Sequence, residues 1–177
     1  IICIEMEKPT IAIDPGAAGG FAWLDRDGET HCEPMAVGMS GQADRLRSLA
    51  AELPGLVAVM EKTGTYVPGN AGPATATFAR HVGNLEAILY VLGIPTEQVA
   101  PSVWQRSLGP LPRDKGQRKR AIRELVARRF PHLSVTLKTA DALGILIWAT
   151  DKRLSRLVDW LPSDQQKQTN KTRRYKC

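Results

Sequence analysis

The chain has 177 residues, which fits one domain with a sizeable core and leaves little room for an independent second domain. Lysine and arginine exceed the acids by 24 to 18, and the excess gathers between Arg106 and Arg129 and again after Lys152. This distribution predicts a polyanionic partner. No apolar stretch reaches membrane-spanning length, which excludes a chain that crosses a membrane as a helix, so no membrane partner is expected.

The three cysteines, Cys3, Cys32 and Cys177, are far apart and lack the C-x-x-C spacing of zinc or redox sites. This usage predicts an intracellular, reducing compartment, such as a bacterial cytoplasm or a phage-infected cell. The chain begins without methionine, so an organelle stays open as an alternative, because a targeting segment could precede the first residue.

The first part of the chain predicts a three-stranded antiparallel meander. Residues 10–13 are β-prone and end at Asp14. A turn rich in small residues follows, and residues 21–24 form the second strand. A second turn signal leads into a third strand within residues 30–37. Consecutive strands joined by such short turns pair in an antiparallel manner.

The rest of the chain alternates helical and strand patterns, and Ser40 is a candidate N-cap for the first helix. The predicted elements are a helix over 40–52, a strand over 56–60, a helix over 74–92, a short strand over 98–100, and helices over 114–130 and 139–154. This order predicts an α/β fold with a mixed five-stranded sheet, whose first three strands are antiparallel, and helices on both faces. We expect one domain over residues 1–160 and a basic C-terminal tail over 161–177.

Three acids stand at the ends of apolar segments. Asp14 and Glu61 each end a predicted strand, and Asp141 begins an apolar helix. Side chains that emerge at one sheet edge can converge, and carboxylate oxygens are ligands for hard cations, so the pattern predicts one acidic cluster. Each acid also has an ordinary interpretation: Asp14 as a turn residue, Glu61 as a solvated strand end, and Asp141 as a first-turn acid favoured by the helix dipole.

Small residues follow Asp14. Gly16, Gly19 and Gly20 either make a simple hairpin or let a phosphate backbone approach closely, and both interpretations stay open. An aspartate-glycine hairpin also binds phosphate in actin-like ATPases and sugar kinases. Those proteins need two such halves to close over a nucleotide, whereas this chain has one, so no nucleotide cofactor is expected.

A run of basic residues occupies one predicted helix and the loop before it. Asp114 and Glu124 are the only acids in this run, whereas a solvated helix would mix the two signs more evenly. We interpret the run as the main phosphate-binding surface, with an affinity that falls steeply with salt. Its basic residues are Arg113, Lys115, Arg118, Lys119, Arg120, Arg123, Arg128 and Arg129.

Several separate segments carry a family pattern. They are residues 11–16 with Gly19-Gly20, the strand ending at Glu61, and residues 99–104, 129–131 and 140–143. In this order they resemble RuvC-type Holliday junction resolvases of the RNase H-like superfamily, in particular the divergent phage and organelle branches. The resemblance implies an RNase H-like nuclease domain and a Mg²⁺-dependent endonuclease in which Asp14, Glu61 and Asp141 hold the metal. It also implies two cations per active site, Mn²⁺ as a substitute, branched DNA as substrate, and products with 5′-phosphate and 3′-hydroxyl ends.

The resemblance extends to further residues. Tyr66 is expected to stack on an unpaired base, and the helix over 74–92 to form a homodimer that presents two active sites to opposed strands. Either Lys115 or Lys119 is expected to reach the cleaved phosphate, and both alternatives stay open. Lys138 departs from the pattern, since many relatives have an acid or histidine three or four residues before the last aspartate. It replaces a cation's charge, contacts the scissile phosphate, or weakens the second metal site.

Two other functions are compatible with the same residues. The site could cut another nucleic acid, such as the RNA strand of a hybrid or a replication flap. A non-catalytic DNA-binding relative could also have lost one metal ligand, which Lys138 would explain. Local packing is the alternative interpretation for Tyr66 and for the helix over 74–92, and Trp104 is expected to pack between the fifth strand and the basic helix.

Overall fold

A computed structural model describes residues 8–63 and 72–160, with side chains as far as residue 152. Five strands and five helices occupy this part of the chain. In chain order they are β1 Thr10–Asp14, β2 Gly20–Leu24, β3 Thr30–Pro34, α1 Gly38–Glu52, β4 Val57–Glu61, α2 Gly72–Val91, β5 Thr96–Val99, α3 Pro101–Ser107, α4 Lys115–Arg129 and α5 Ala140–Trp160. No helix within these ranges is both long and apolar enough to cross a membrane.

The strands form one mixed sheet in the order β3-β2-β1-β4-β5. The first three strands pair in an antiparallel manner, whereas β4 runs parallel to β1 and β5 runs parallel to β4. This confirms the predicted α/β fold and its antiparallel opening. Because Ile13 is opposite Met60 in the β1–β4 register, the next residues, Asp14 and Glu61, leave neighbouring strands at the same edge of the sheet.

Each face of the sheet has its own hydrophobic cluster, and helices cover both faces, as predicted. Side chains alternate along β1, so Ile11 and Ile13 join the cluster under α1 and α2, while Ala12 joins the cluster on the opposite face. Helices α3, α4 and α5 cover that opposite face. Its strand residues Ala12, Ala22 and Val59 are small, which lets α5 pack across β1 and β2.

Two local features differ from the prediction. Ser40 does not cap α1, because the helix begins at Gly38 and its N-cap residue, Val37, makes no side-chain hydrogen bond. Gly38 has a φ of 71°, a left-handed value that favours glycine, so the chain turns into the helix before Ser40. The sequence pattern also failed to predict α3, although Pro101 in its first turn is a known helix-start signal.

The basic helix α4 begins where the sequence predicts. Asp114 is its N-cap, and the Asp114 carboxylate accepts a hydrogen bond from the Gln117 backbone N–H at 2.8 Å. Ile122 and Val126 are fully buried in the hydrophobic cluster of the opposite face, where α4 packs against α5. The burial of this apolar stripe turns the charged residues of the helix toward the surface, and Lys119 among them lies beside Asp141.

Candidate active site

Three different elements bring Asp14, Glu61 and Asp141 together. Asp14 ends β1, and Glu61 ends the adjacent parallel strand β4. Asp141 is the second residue of α5, which packs across β1 and β2. The charges of Asp141 and Glu61 both raise the pKa of Asp14, which places the three carboxylates within interaction range of one another. The acids therefore form one cluster at the sheet edge.

Burial dominates the protonation of this cluster. It raises the pKa of Asp14 to about 8, and the two neighbouring carboxylates add to the effect. Burial also raises the pKa of Glu61, while the hydrogen bond from Trp104 lowers it. Burial raises the pKa of Asp141 as well, although the nearby charge of Lys119 lowers it in part. When all three carboxylates are ionised, they carry more negative charge than Lys119 balances, and a bound cation would relieve this imbalance.

The carboxylates share one electrostatic environment without closing around one point. Among the described residues, no three Asp, Glu, His or Cys side chains are arranged to hold an ion between them. Glu61 Oε2 accepts a hydrogen bond from Trp104 Nε1 at 2.8 Å, and Asp141 Oδ2 lies 3.7 Å from Lys119 Nζ. The oxygen donors suit a hard divalent cation, and ligation would require the carboxylates to turn toward one another.

Close backbone packing explains two glycines of the turn after Asp14. A Cβ at Gly19 would lie 2.0 Å from the Asp14 carbonyl oxygen, so no side chain fits there. A Cβ at Gly20 would lie 2.6 Å from the Glu33 carbonyl oxygen and 2.7 Å from that of Lys138. Both glycines are thus required inside the fold itself. The close approach of a phosphate backbone to this turn stays a prediction.

Helix α2 holds the same turn through His81, a residue that no sequence motif marks. The Gly16 N–H donates to His81 Nδ1 at 3.1 Å, and the Gln42 side-chain amide lies 2.6 Å from His81 Nε2. Because Nδ1 accepts, Nε2 of a neutral imidazole carries a hydrogen and faces Gln42 Nε2, which is also a donor, while Gln42 Oε1 is buried without a partner among the described residues. Exchanging the Gln42 amide oxygen and nitrogen would give the His81 N–H its acceptor. Burial lowers the pKa of His81, which favours this neutral form. The available signal was the helical spacing of Phe78 and His81, since the Phe78 ring also packs against Gly16.

The two lysines that the resemblance left open lie in different environments. Lys119 is half-buried and close to Asp141, whereas Lys115 is exposed at the first residue of α4. The charge of Arg118 also acts on Asp141. Lys119 is therefore the lysine beside the carboxylates, and Lys115 lies one turn earlier on the same side of the helix, exposed at its N-terminal end.

The other basic residues predicted to bind DNA differ in whether their side chains make hydrogen bonds within the protein. Arg113 and Arg120 are exposed. Arg118 Nη1 donates to the Arg113 carbonyl oxygen at 3.0 Å, which ties the start of α4 to the loop before it. Arg123 Nε donates to the Val135 carbonyl oxygen at 3.3 Å. Arg123 thus has a structural contact in addition to any contact with DNA.

Lys138 does not lie among the buried groups of the cluster. Its side chain is exposed in the loop that leads into α5, and its backbone carbonyl packs against Gly20. The three roles considered for this lysine stay predictions. Tyr66 and the C-terminal tail over 161–177 lie outside the described residues.

A cleft of roughly 590 Å³ opens beside Asp14. The turn after β1 forms one wall, the first turns of α2 form the other, and Lys119 contributes a positive charge. The lining residues are Asp14, Pro15, Gly16, Ala17, Ala18, Gly19, Pro73, Ala74, Thr77, Phe78, His81 and Lys119. Asp14 is the one acid of the cluster that lines this cleft, and Lys119 supplies a cation in it that could bind an anionic ligand.

No protein-family model and no curated protein sequence matches this chain. Solved structures do match. Thermus thermophilus RuvC in complex with a Holliday junction substrate has a TM-score of 0.52 at 14% identity, covering 84% of this chain and 96% of that chain. A second Thermus thermophilus RuvC structure has a TM-score of 0.50 at 14% identity, covering 83% and 96%. Fowlpox virus resolvase in complex with Holliday junction DNA has a lower TM-score, 0.43, at 12% identity, covering 77% and 94%. The chain therefore has the RuvC-like fold that its sequence predicted.

Proposed function

We propose that this protein, which shares the RuvC-like fold, is a metal-dependent, structure-specific DNA endonuclease that resolves four-way junctions. One observation carries the proposal: Asp14, Glu61 and Asp141 meet in one largely buried cluster. Buried carboxylates that repel one another destabilise a fold unless a proton or a cation neutralises them. Such a cluster lowers the stability of the fold, so a structural role alone does not account for it, whereas a site that binds cations does.

Asp14, Glu61 and Asp141 would hold Mg²⁺ or, as a substitute, Mn²⁺, with two cations per active site. When bound, the cations supply an activated water and stabilise the leaving oxygen, which gives 5′-phosphate and 3′-hydroxyl ends. The chain supplies hard oxygen ligands on rigid supports, because two of them end paired strands and the third begins a helix packed on the same sheet. Lys119 would bind a phosphate oxygen beside them.

Helix α4 would guide the DNA backbone to the cluster. Its inner residues Arg118 and Lys119 act on Asp141, while Lys115 and Arg120 are exposed for contacts along the same strand. Each phosphate contact releases condensed counterions, so junction affinity should fall steeply as the salt concentration rises. A base-stacking role for Tyr66 remains part of the proposal.

We also propose a homodimer through α2, Gly72–Val91. Near its C-terminal end, Tyr90 is 86% exposed and Val91 is 81% exposed, and a partner subunit would cover this apolar surface. Two-fold symmetry would present two active sites to opposed strands of a four-way junction. Since His81 on the same helix holds the turn after Asp14, dimer formation and the geometry of the cluster would be linked.

The test is cleavage of a labelled four-way junction beside a linear duplex and an RNA–DNA hybrid, each with Mg²⁺ and with EDTA. Mg²⁺-dependent, paired, symmetric nicks on the junction alone support the proposal. Cleavage of the hybrid in preference to the junction assigns the same site to another nucleic acid. Tight junction binding without any cut refutes a nuclease and favours a non-catalytic DNA-binding protein, an alternative consistent with carboxylates that are not closed around one point in the described residues.

A further inference from the structure

Trp104 is fully buried and reaches one of the candidate metal ligands. Its Nε1–H donates to Glu61 Oε2 at 2.8 Å. A buried indole N–H requires an acceptor, and many positions in a core would supply a backbone carbonyl for this purpose. Here the acceptor is a carboxylate of the acidic cluster. The contact therefore exceeds what packing between β5 and α4 alone requires.

The benzene ring of the same indole packs against α5. A Cβ at Gly144 would lie 2.6 Å from Trp104 Cζ3 and 3.1 Å from Cε3, so glycine is needed for the helix to approach the ring this closely. Gly144 follows Asp141 by three residues and lies on the same side of the helix. One rigid ring thus spaces the end of β4 from the turn of α5 that carries Asp141.

The backbone around Trp104 is fixed to the same corner of the sheet. Glu61 is opposite Val99 in the β4–β5 register, and the Lys62 N–H donates to the Val99 carbonyl oxygen at 2.7 Å. Helix α3 starts two residues after Val99, with Pro101 in its first turn. The indole and the carboxylate therefore have little freedom to move apart.

We infer that Trp104 is a positioning residue for the proposed nuclease site: it holds one oxygen of Glu61 and leaves the other oxygen to ligate a divalent cation. The indole N–H is a donor only and does not titrate, so it holds the carboxylate whatever charge the cluster carries. Partners that orient metal ligands are typically worth about 10–100-fold in metal affinity. The inference rests on the proposed function, because it assumes that Glu61 is a metal ligand.

The variant Trp104→Phe tests this, since it keeps an aromatic ring in the core and removes the N–H. Ile145→Val is the matched control, because Ile145 is fully buried in the same hydrophobic cluster and loses only one methylene. Two quantities are measured: the Mg²⁺ concentration for half-maximal junction cleavage, and the concentration of Mg²⁺ or Mn²⁺ that raises the melting temperature half-maximally without DNA.

We expect Trp104→Phe to need roughly 10-fold more metal in both measurements. Saturating metal should restore most of the turnover, and junction affinity in EDTA should equal that of the wild type. Ile145→Val should keep the metal dependence of the wild type, although it melts at a slightly lower temperature. A role in packing alone would lower the melting temperature of both variants and leave both metal dependences unchanged.

Two results overturn the inference alone: an unchanged or lower metal requirement in Trp104→Phe, or an equal shift in Ile145→Val. If the wild type binds metal without cleaving the junction, the proposed function fails, and the melting measurement still decides the role of Trp104. If the wild type neither cleaves nor responds to metal, both fail. Should Trp104→Phe not fold, benzothienyl-alanine at position 104 keeps the two-ring shape and replaces the N–H with sulfur, and the same measurements apply.

Discussion

The two faces of the sheet contribute different things to the candidate site. The face under α1 and α2 is lined by large side chains such as Ile13, Phe21 and Met60, and it reaches the site through His81, which holds the turn after the first acid. The face under α3, α4 and α5 has small strand residues and contributes the buried charge of Asp141. The first face therefore stabilises the turn after Asp14, and the second face contributes Asp141 together with Lys119 and Trp104, which contact the carboxylates.

Size explains this division. Alanines at the centre of the second face let the first turn of α5 approach the strand ends, where a carboxylate on a helix can meet carboxylates on strands. Bulky side chains on the first face fill the space under two helices, and the charged pair on that face, Arg45 with Glu33, is bonded within itself. Changes that remove charge and changes that loosen the support should consequently have separable effects on catalysis and on stability.

Asp14→Asn removes charge and should have the largest effect. Cleavage of a four-way junction is expected to fall by at least about a thousandfold in single-turnover assays, because metal-assisted catalysis supplies several kcal/mol of transition-state stabilisation. Junction binding in EDTA should be unchanged, since α4 is untouched. Loss of binding in the same variant would show that Asp14 has a structural role instead.

Gly19→Ala changes the packing of the turn after Asp14 and leaves every charge in place. The added Cβ would lie 2.0 Å from the Asp14 carbonyl oxygen, so the turn must shift, and the free energy of unfolding in urea should fall by about 2–4 kcal/mol. Gly83→Ala is the matched control: the space around its Cβ position is open and it lies within α2, so it should gain about 0.5–1 kcal/mol. Equal stability changes in the two variants would contradict the close packing at Gly19.

Comparing Lys119→Met with Lys115→Met should distinguish the role of the lysine beside the cluster from that of the exposed lysine. Loss of a charged contact to phosphate is worth about 1.5–3 kcal/mol, so the cleavage rate of bound junction should fall by about 10–100-fold. Lys115→Met should chiefly weaken junction binding and reduce its salt dependence by about one counterion. The opposite ranking of the two cleavage rates would assign the catalytic contact to Lys115.

The metal-free protein should lose stability as the pH rises. Asp14 has a pKa of about 8 in the folded chain against an ordinary value of 3.8, so the folded state binds more protons between these values. The free energy of unfolding in EDTA should therefore fall by about 3–5 kcal/mol from about pH 4 to about pH 8. The raised pKa values of Glu61 and Asp141 act in the same direction.

Two comparisons sharpen this pH experiment. Asp14→Asn should show a flatter dependence than the wild type, because the largest of these protonation changes is removed. Excess Mg²⁺ should flatten the wild-type dependence as well, since a cation replaces the bound proton. Identical slopes in the wild type and in Asp14→Asn would mean that Asp14 is ionised in the folded protein throughout this range.

His81→Ala should have the smallest effect. It removes the acceptor of the Gly16 N–H, so the free energy of unfolding is expected to fall by about 1–2 kcal/mol, with a loss of cleavage below about tenfold. His132→Ala is the control, because His132 is exposed and its removal should change stability by no more than about 0.5 kcal/mol. A loss of cleavage as large as that of Asp14→Asn would show that the two faces are not separable.

Local patterns were sufficient for most of the fold. An apolar run that stops at an acid predicted the strand ends at Asp14 and Glu61, since the period and the stopping point are both readable in a few residues. Ser40 was wrong as an N-cap because a left-handed glycine two residues earlier turns the chain first. Helix α3 was missed because seven residues are too short for a periodic signal.

The residues that contact the three acids were harder to predict from the sequence. Trp104 was predicted to pack between the fifth strand and the basic helix, and it does belong to the cluster that includes Ile122 of α4. Its hydrogen bond to Glu61 joins residues 43 positions apart and depends on the parallel pairing of β4 with β5. His81 reaches Gly16 across 65 positions. No local pattern encodes such pairs.

The amino-acid sequence by itself determined the element types, the mixed sheet with its antiparallel opening, and the three acids at the ends of apolar segments, because periodicity and turn residues act over short distances. Only the tertiary structure decided which lysine lies beside the acids, that glycine is required at position 19, and that an indole holds Glu61. These features arise from strand register and from the distance between a helix and a sheet. Both are set by the packing of the whole core, to which residues far apart in the sequence contribute together.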